Sequence, residues 1–175
     1  GGVGRSDVVI LSAGSMIPGW ILETDGADLA RMCQINVRAP TRVGRAAWDA
    51  RAASGRGRVV LLSSMSGKRV KSARSSTYAI TKFATSGLAA AIRRTGWDSG
   101  IRSIAVCPSF VATDMTRDTT GWKPQDMTQP ADIAVMVATA LDPPNTASVS
   151  QLCFTFPHED SACTQEQGAH KLGTR

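Results

Sequence analysis

The chain has 175 residues, 42% of them hydrophobic, and a formal net charge of +6 at pH 7. This length and composition are typical of one globular domain with its own core, and no apolar run approaches the roughly 18 to 20 residues that a membrane span needs. No export signal opens the chain, so we expect a cytoplasmic protein without a membrane partner.

The cysteines, histidines and basic residues exclude several classes of function. The cysteines are scattered without a C-x-x-C pair, and both histidines lie in a polar C-terminal stretch, which predicts reduced thiols, no metal site and no histidine-based triad. The arginines are dispersed and aromatic residues are few, so we expect no nucleic-acid partner despite the positive charge. The residues concerned are Cys33, Cys107, Cys153, Cys163, His158 and His170.

Short apolar runs alternate with longer helical patterns along the chain. The runs are rich in β-branched residues and nearly continuous in apolarity, as in strands that are buried on both faces. Strands are predicted at 7–11 (DVVIL), 58–64 (RVVLLSS), 101–108 (IRSIAVCP) and 149–156 (VSQLCFTF). Helices are predicted at 22–34, 35–54, 75–96 and 130–141.

This alternation predicts the fold class. Strand–helix–strand units with crossovers of this length form a parallel sheet with helices on both faces. We therefore expect a doubly wound α/β domain over residues 1–156, followed by a polar tail at 157–175. Residues 109–129 have no clear periodicity, and a loop of that length in a compact domain is usually either functional or disordered.

The only tyrosine of the chain, Tyr78, lies four residues before Lys82 in the third predicted helix, so the two side chains share one helix face. A free phenol has a pKa near 10 and is a poor proton-transfer group at neutral pH, and a neighbouring ammonium lowers that pKa. We expect Lys82 to bring the pKa of Tyr78 to roughly 7 or 8. The pair thus predicts a proton-transfer site, although such pairs also occur as ordinary neighbours on a helix surface.

Two further polar residues are candidates for the same site. Ligands of parallel sheets bind at the carboxyl ends of the strands, where Ser64 ends the second predicted strand. Its hydroxyl could bond a substrate carbonyl oxygen, or it could simply form a turn. Asn36 lies inside a helical pattern, where asparagine is unfavourable unless its amide has a partner, and a surface position or a local kink would also account for it.

These stretches resemble the short-chain dehydrogenase/reductase family, in order along residues 5–156. Five motifs carry the resemblance: GRSDVVILSAG for the strand ending in Asn-Asn-Ala-Gly, INVRAP for the helix with a catalytic asparagine, VVLLSSMSG for the serine strand, YAITKFA for the Tyr-x-x-x-Lys helix and CPSFVATDM for the cofactor loop. Several motifs in the family's order are far more specific than any one of them.

The resemblance implies a Rossmann-like oxidoreductase that passes hydride between NAD or NADP and a small-molecule alcohol or carbonyl substrate. It makes Tyr78 the proton donor or acceptor, Ser64 the group that orients the substrate and Asn36 the holder of a water that links Lys82 to solvent. Lys82 would lower the phenol pKa and bind the nicotinamide ribose. The cofactor-binding residues that it implies are Ser12, Ala13, Gly14, Tyr78, Lys82, Pro108, Val111 and Thr113.

The chain also departs from the family pattern. Leu11-Ser12 replaces the Asn-Asn pair, and Ser109 replaces the usual glycine of the cofactor loop. No strand precedes GGVG at 1–4 and no G-x-G-x-x-G spacing follows it, so we expect a partial sheet without the family's first strands, in which 7–11 is an apolar edge. A catalytically silent fragment that acts only through interaction or dimerisation is therefore the alternative function.

The predicted helix that contains Lys82 continues with small residues at 84–92 (ATSGLAAAI). Small side chains let a second helix approach closely, and the family resemblance implies a homodimer or homotetramer that forms through this helix and the 35–54 helix. Packing of the same small residues against the chain's own sheet is an equal alternative.

Overall fold

The computed structural model describes residues 7–156, which contain a four-stranded, all-parallel β-sheet. The strands are β1 (Val8–Leu11), β2 (Arg58–Leu62), β3 (Arg102–Pro108) and β4 (Gln151–Phe154), in the spatial order β1-β2-β3-β4. All four predicted strands are present, shortened at their ends. The predicted parallel sheet is confirmed.

Five α-helices accompany the sheet in the described residues. They are α1 (Gly26–Cys33), α2 (Ala39–Ala46), α3 (Trp48–Ser54), α4 (Ser76–Thr95) and α5 (Pro130–Leu141). The bounds of α5 coincide with the prediction, because Pro130 is well suited to a first helical turn and Pro143 and Pro144 cannot continue a helix. The helix predicted at 75–96 is α4, and the one predicted at 22–34 is shorter and begins behind the Asp25 cap.

The single helix predicted at 35–54 is wrong. A wide π-helical turn occupies Gln34–Arg38, α2 follows it, and the chain breaks again at Ala47 before α3. The carbonyl oxygen of Asn36 cannot accept an α-helical hydrogen bond from residue 40, because Pro40 has no N–H, and it accepts one from Thr85 Oγ1 at 3.0 Å. This bond spans 49 residues, so a local sequence pattern cannot reveal it.

Helices cover both faces of the sheet, as predicted. Two apolar clusters form the core, and β2 and β3 contribute to both of them because these central strands are buried on both sides. The cluster on the α4 side consists of Val59, Leu61, Ala89, Ile92, Ile101, Ala105 and Cys107. The cluster on the α5 side consists of Val60, Ile104, Val106 and Val137.

Within the described residues β1 is an edge strand, because it pairs with β2 alone. Val9 and Leu11 pack against the core on the α4 side, whereas Val8 and Ile10 are exposed on the opposite face. The predicted apolar edge is therefore present in this part of the chain. Such an edge has unpaired backbone groups that can accept a further strand.

Some of the expectations fall on other parts of the chain. The glycines at 1–4 and the polar tail at 157–175, with Cys163, His158 and His170, lie outside the described residues. Over residues 7–156, none of the helices combines the length and apolarity that crossing a bilayer requires. The His, Cys, Asp and Glu side chains of the same range form no group of three or more that could hold a metal ion.

Candidate active site

The predicted site residues meet at the carboxyl ends of the strands. Ser64 follows β2, Pro108 ends β3, and the exposed residues 12–14 follow β1. Tyr78 and Lys82 extend from the first two turns of α4 and are 8% and 4% exposed. The parallel sheet thus brings together residues that lie up to 96 positions apart in sequence, from Ser12 to Pro108.

Ser64 and Tyr78 form the outer part of the site. Burial raises the pKa of Tyr78 to about 12, and a side-chain hydrogen bond with Ser64 lowers it by less. Ser64 is itself held in place: its Oγ accepts a hydrogen bond from the Ser66 backbone N–H at 3.0 Å and donates to the Pro108 carbonyl at 3.4 Å. The serine hydroxyl is therefore oriented on the phenol's side of the strand ends.

The prediction that Lys82 brings the pKa of Tyr78 to roughly 7 or 8 is wrong for this structure. The ammonium lies 5.6 Å from the centroid of the phenol ring and donates a 2.9 Å hydrogen bond to the Leu62 carbonyl. Burial of the phenol disfavours the phenolate and outweighs any attraction from this cation. Tyr78 is consequently a protonated phenol at neutral pH.

Lys82 is a buried cation with few partners. Burial lowers the pKa of its ammonium to about 8, so the group is still largely protonated at pH 7. Within the described residues Nζ donates one hydrogen bond, to Leu62, although an ammonium carries three donors. A Cβ atom added at Gly14 would lie 3.5 Å from Nζ. Gly14 therefore lies directly beside the ammonium, with no side chain of its own against it.

Asn36 ties the segment after β1 to α4. Its Oδ1 accepts a hydrogen bond from the Ser15 backbone N–H at 2.8 Å, and its Nδ2 donates to the Ser15 carbonyl at 2.8 Å and to Thr81 Oγ1 at 2.9 Å. Asn36 is buried, so the interpretation as a surface residue is wrong and the kink is confirmed. The water relay through Asn36 stays a prediction.

Sequence reasoning missed a buried threonine stripe on α4. Thr77 donates to the Gly19 carbonyl at 3.0 Å, Thr81 accepts from Asn36, and Thr85 donates to the Asn36 carbonyl. All three side chains are buried. The signal was present in the sequence, because three threonines at a spacing of four residues on an apolar helix form one polar stripe that needs partners.

The loop after β3 is ordered by contacts of its own. Val111 forms an isolated parallel bridge with Thr128, and Phe110 and Trp122 both make edge-to-face contacts with Phe156, at ring centroid distances of 5.3 and 5.4 Å. Thr113 is exposed and caps a short 3-10 turn at Asp114–Thr116. Within the described residues no hydrogen bond connects Val111 or Thr113 to Tyr78 or Lys82.

The strand ends fit the nicotinamide half of a dinucleotide. The Lys82 ammonium, with donors that no described residue accepts, lies beside Gly14 and 5.6 Å from the centroid of the phenol ring, and Ser64 hydrogen-bonds the phenol. No G-x-G-x-x-G sequence, the usual cradle for the pyrophosphate, occurs within residues 7–156. The described residues therefore fit one half of the cofactor.

Comparisons with known proteins agree with this geometry. The sequence model of the family described as short chain dehydrogenase matches residues 2–124. Agropine synthesis reductase of Rhizobium rhizogenes is 37% identical over 164 residues, which are 93% of this chain and 36% of that protein. Oxidoreductase UcpA of Escherichia coli (strain K12) is 33% identical over 112 residues, 64% of this chain and 43% of that protein. The chain thus spans less than half the length of these relatives.

Solved structures share the fold. A short-chain dehydrogenase from Streptomyces avermitilis has a TM-score of 0.76 at 24% identity, over 94% of this chain and 65% of that one. A 3-oxoacyl (acyl-carrier-protein) reductase from Agrobacterium tumefaciens C58 with NADP bound has a TM-score of 0.75 at 20% identity, over 87% and 64%. These likenesses confirm the Rossmann-like fold. Because the family match covers most of the chain, this protein belongs to the short chain dehydrogenase family of oxidoreductases.

Proposed function

We propose that this chain is the catalytic part of an NAD(P)-dependent oxidoreductase that interconverts a carbonyl group and an alcohol on a small molecule. The observation that carries the proposal is the cluster of Ser64, Tyr78 and Lys82 at the carboxyl edge of the parallel sheet. The NADP named for structural neighbours such as the Agrobacterium reductase supports a nicotinamide cofactor.

Tyr78 acts as the general acid. A phenol with a pKa near 12 holds its proton at neutral pH. An alkoxide is a stronger base than a phenolate, so proton transfer from Tyr78 to a newly formed alkoxide is favourable. The buried phenol is therefore suited to the direction of carbonyl reduction, in which a proton must be supplied.

Ser64 and Lys82 position the reacting groups. The Ser64 oxygen is fixed by Ser66, and its hydroxyl would exchange its long bond to the Pro108 carbonyl for a hydrogen bond to the substrate oxygen on which negative charge develops. Lys82, with Tyr78 and residues 12–14, would hold the nicotinamide ribose, because Nζ lies beside Gly14 and donates only one hydrogen bond within the described residues. The nicotinamide, when bound, supplies or accepts the hydride.

Replacement of Tyr78 by phenylalanine in the full-length protein tests the proposal. The change removes the proton donor, and general acid catalysis contributes about 10² to 10⁴-fold, so turnover should fall by that factor. Affinity for the reduced cofactor, measured by fluorescence titration with NADH and NADPH, should change little. Ser75→Ala is the matched control, because Ser75 bonds only within its own turn and its loss should leave turnover unchanged.

Two results would contradict this function. Near-normal turnover of the Tyr78→Phe variant would remove Tyr78 from the mechanism. Failure of the full-length protein to bind either cofactor would favour the alternative, a catalytically silent module that acts through interaction.

We also propose that the protein assembles as a homodimer or homotetramer through the outer face of α4. The small residues at 84–92 are divided: Ala89 and Ile92 pack on the sheet, whereas Ala84, Gly87 and Ala91 are exposed. The outer face is extended by two large apolar side chains, those of Ile80 (48% exposed) and Phe83 (45% exposed). Such a face, with small residues at its centre, suits close approach of a second α4.

Light scattering of the full-length protein tests this assembly. Phe83→Glu places a charge on the outer face of α4 and should shift the measured mass toward that of the monomer. Val135→Glu, which alters an exposed apolar residue of α5, is the control and should leave the mass unchanged. A monomeric wild-type protein would contradict the proposal.

A further inference from the structure

Two cysteines lie side by side on the neighbouring strands β3 and β4. Cys107 and Cys153 are register partners, and no mechanism described above uses either of them. Partners in a parallel ladder direct their side chains to the same face of the sheet. Both thiols are in the free form in the structure.

The spacing of the two strands matches that of a disulfide. Neighbouring strands lie about 4.7 to 4.9 Å apart, and the Cα atoms of a disulfide are usually about 4.4 to 6.8 Å apart. A bond between Cys107 and Cys153 therefore requires rotation of the side chains and a small approach of β4, which is an edge strand in the described part of the chain. Edge strands are the part of a sheet that moves most easily.

The two thiols differ in their surroundings. Cys153 is exposed, whereas Cys107 is fully buried in the core cluster on the α4 side. Burial and the neighbouring Cys153 raise the pKa of the Cys107 thiol, and hydrogen bonds from Ser86 and Ser63 lower it by less. An oxidant in solution therefore reacts first with Cys153, and Cys107 lies beside it as a protonated thiol.

We propose that Cys107 and Cys153 form a reversible dithiol–disulfide site that takes hydrogen peroxide as its oxidant. The Cys153 thiol releases its proton and the thiolate attacks one peroxide oxygen. The O–O bond breaks, the leaving hydroxide takes up the released proton as water, and Cys153 becomes a sulfenic acid. The Cys107 sulfur then attacks the sulfenic sulfur, the S–O bond breaks, and the hydroxide leaves with the Cys107 proton as water. Two thiols thereby lose two electrons and two protons, and one peroxide becomes two water molecules.

The disulfide would fasten the edge strand to the centre of the sheet. It closes a chain segment that contains the whole of α5 and the loop after β3, and a covalent closure of that length restricts the unfolded chain strongly. Oxidation should therefore raise the melting temperature by roughly 5 to 10 °C. A reducing agent should reverse the shift.

Peptide mapping of the full-length protein tests the site. The protein is treated with a small excess of hydrogen peroxide, its remaining thiols are blocked by alkylation, and non-reduced peptides are analysed by mass spectrometry. We expect a linked pair of peptides that contain Cys107 and Cys153, abolished by dithiothreitol. The linkage and the melting shift should disappear in Cys153→Ser, whose exposed position tolerates the change, and persist in the control Cys33→Ser.

Three results would overturn the inference. One is a linkage of Cys153 to another cysteine, such as Cys163, in place of Cys107. Another is oxidation of Cys153 to a sulfinic acid while Cys107 is still alkylated after unfolding. The third is a melting shift of the same size in Cys153→Ser and wild type.

Discussion

The two ends of the sheet both bury cations, but they surround them differently. At the amino end Arg58 and Arg102, register partners on β2 and β3, are 5% and 6% exposed. Each guanidinium donates three hydrogen bonds within the described residues. The acceptors are Gly57 O, Pro143 O and Asn145 Oδ1 for Arg58, and Trp97 O, Ile101 O and Asn145 O for Arg102. At the carboxyl end, the Lys82 ammonium donates one hydrogen bond within the described residues, to the Leu62 carbonyl.

This difference fits a structural role for the two arginines and supports the proposed cofactor contact of Lys82. The planar guanidinium groups fasten the segment around Asn145 to the strands, and Arg102 also stacks on the Trp97 ring at 3.7 Å. Their donors are directed at protein acceptors. The Lys82 ammonium, in contrast, has donors that could bind a ligand, and its burial lowers its pKa.

The largest effect should follow from Lys82→Met. Loss of the ammonium removes the ribose contact and the positive charge beside the phenol, so kcat/KM should fall about 10² to 10³-fold in the full-length protein. Stability should be unchanged or higher, because an apolar side chain of similar size replaces a desolvated charge. Steady-state kinetics and urea unfolding measure the two quantities. The control Lys68→Met alters an exposed lysine and should change neither kcat/KM nor the free energy of unfolding.

Arg58→Met should have the opposite effect to Lys82→Met: a loss of stability with little change in turnover. The change leaves the Pro143 carbonyl and the Asn145 side chain without their donor, which should cost about 2 to 4 kcal/mol in the free energy of unfolding. Turnover per folded molecule should be close to that of wild type, because the site lies at the other end of the strands. Arg56→Met is the exposed control. A large loss of turnover without a loss of stability would refute the comparison.

Stability should also depend on pH through Lys82. Its folded pKa of about 8 lies below the ordinary lysine value of 10.5, so between these two values the unfolded chain binds more protons and stability rises with pH. The rise from pH 8 to pH 10 should be on the order of 2 kcal/mol. Urea unfolding at several pH values measures it, and the slope should be absent in Lys82→Met. Above pH 10 the raised pKa of Tyr78 acts in the other direction and lowers stability.

A smaller effect is expected from Thr81→Val. The change removes a hydroxyl that accepts from Asn36 Nδ2 and leaves that amide short of one partner, at a cost of about 1 to 2 kcal/mol. Thr139→Val on α5 is the matched control, since Thr139 likewise bonds a carbonyl of its own helix but is exposed. Equal losses in both variants would show that the buried stripe on α4 adds nothing.

Local patterns were sufficient to predict the parallel sheet and to bring the candidate site residues to one edge of it. Apolar runs defined all four strands, and the rule that ligands bind at the carboxyl ends of parallel strands placed Ser64 beside Tyr78. The protonation of Tyr78 could not be predicted, because desolvation depends on packing around the phenol. The burial of Arg58 was equally hidden, since its partner Asn145 is 87 residues away.

The wide turn at Gln34–Arg38 constrains the length of this part of the chain. A π-helical turn amounts to one extra residue in an α-helix, and removal of one residue would rotate everything beyond it by about 100°. After such a deletion, Asn36 could keep its hydrogen bonds only if α2 turned away from its present neighbours. Alternatively, α2 could keep its neighbours, and Asn36 would then lose its hydrogen bonds. The segment should therefore tolerate neither an insertion nor a deletion of a single residue.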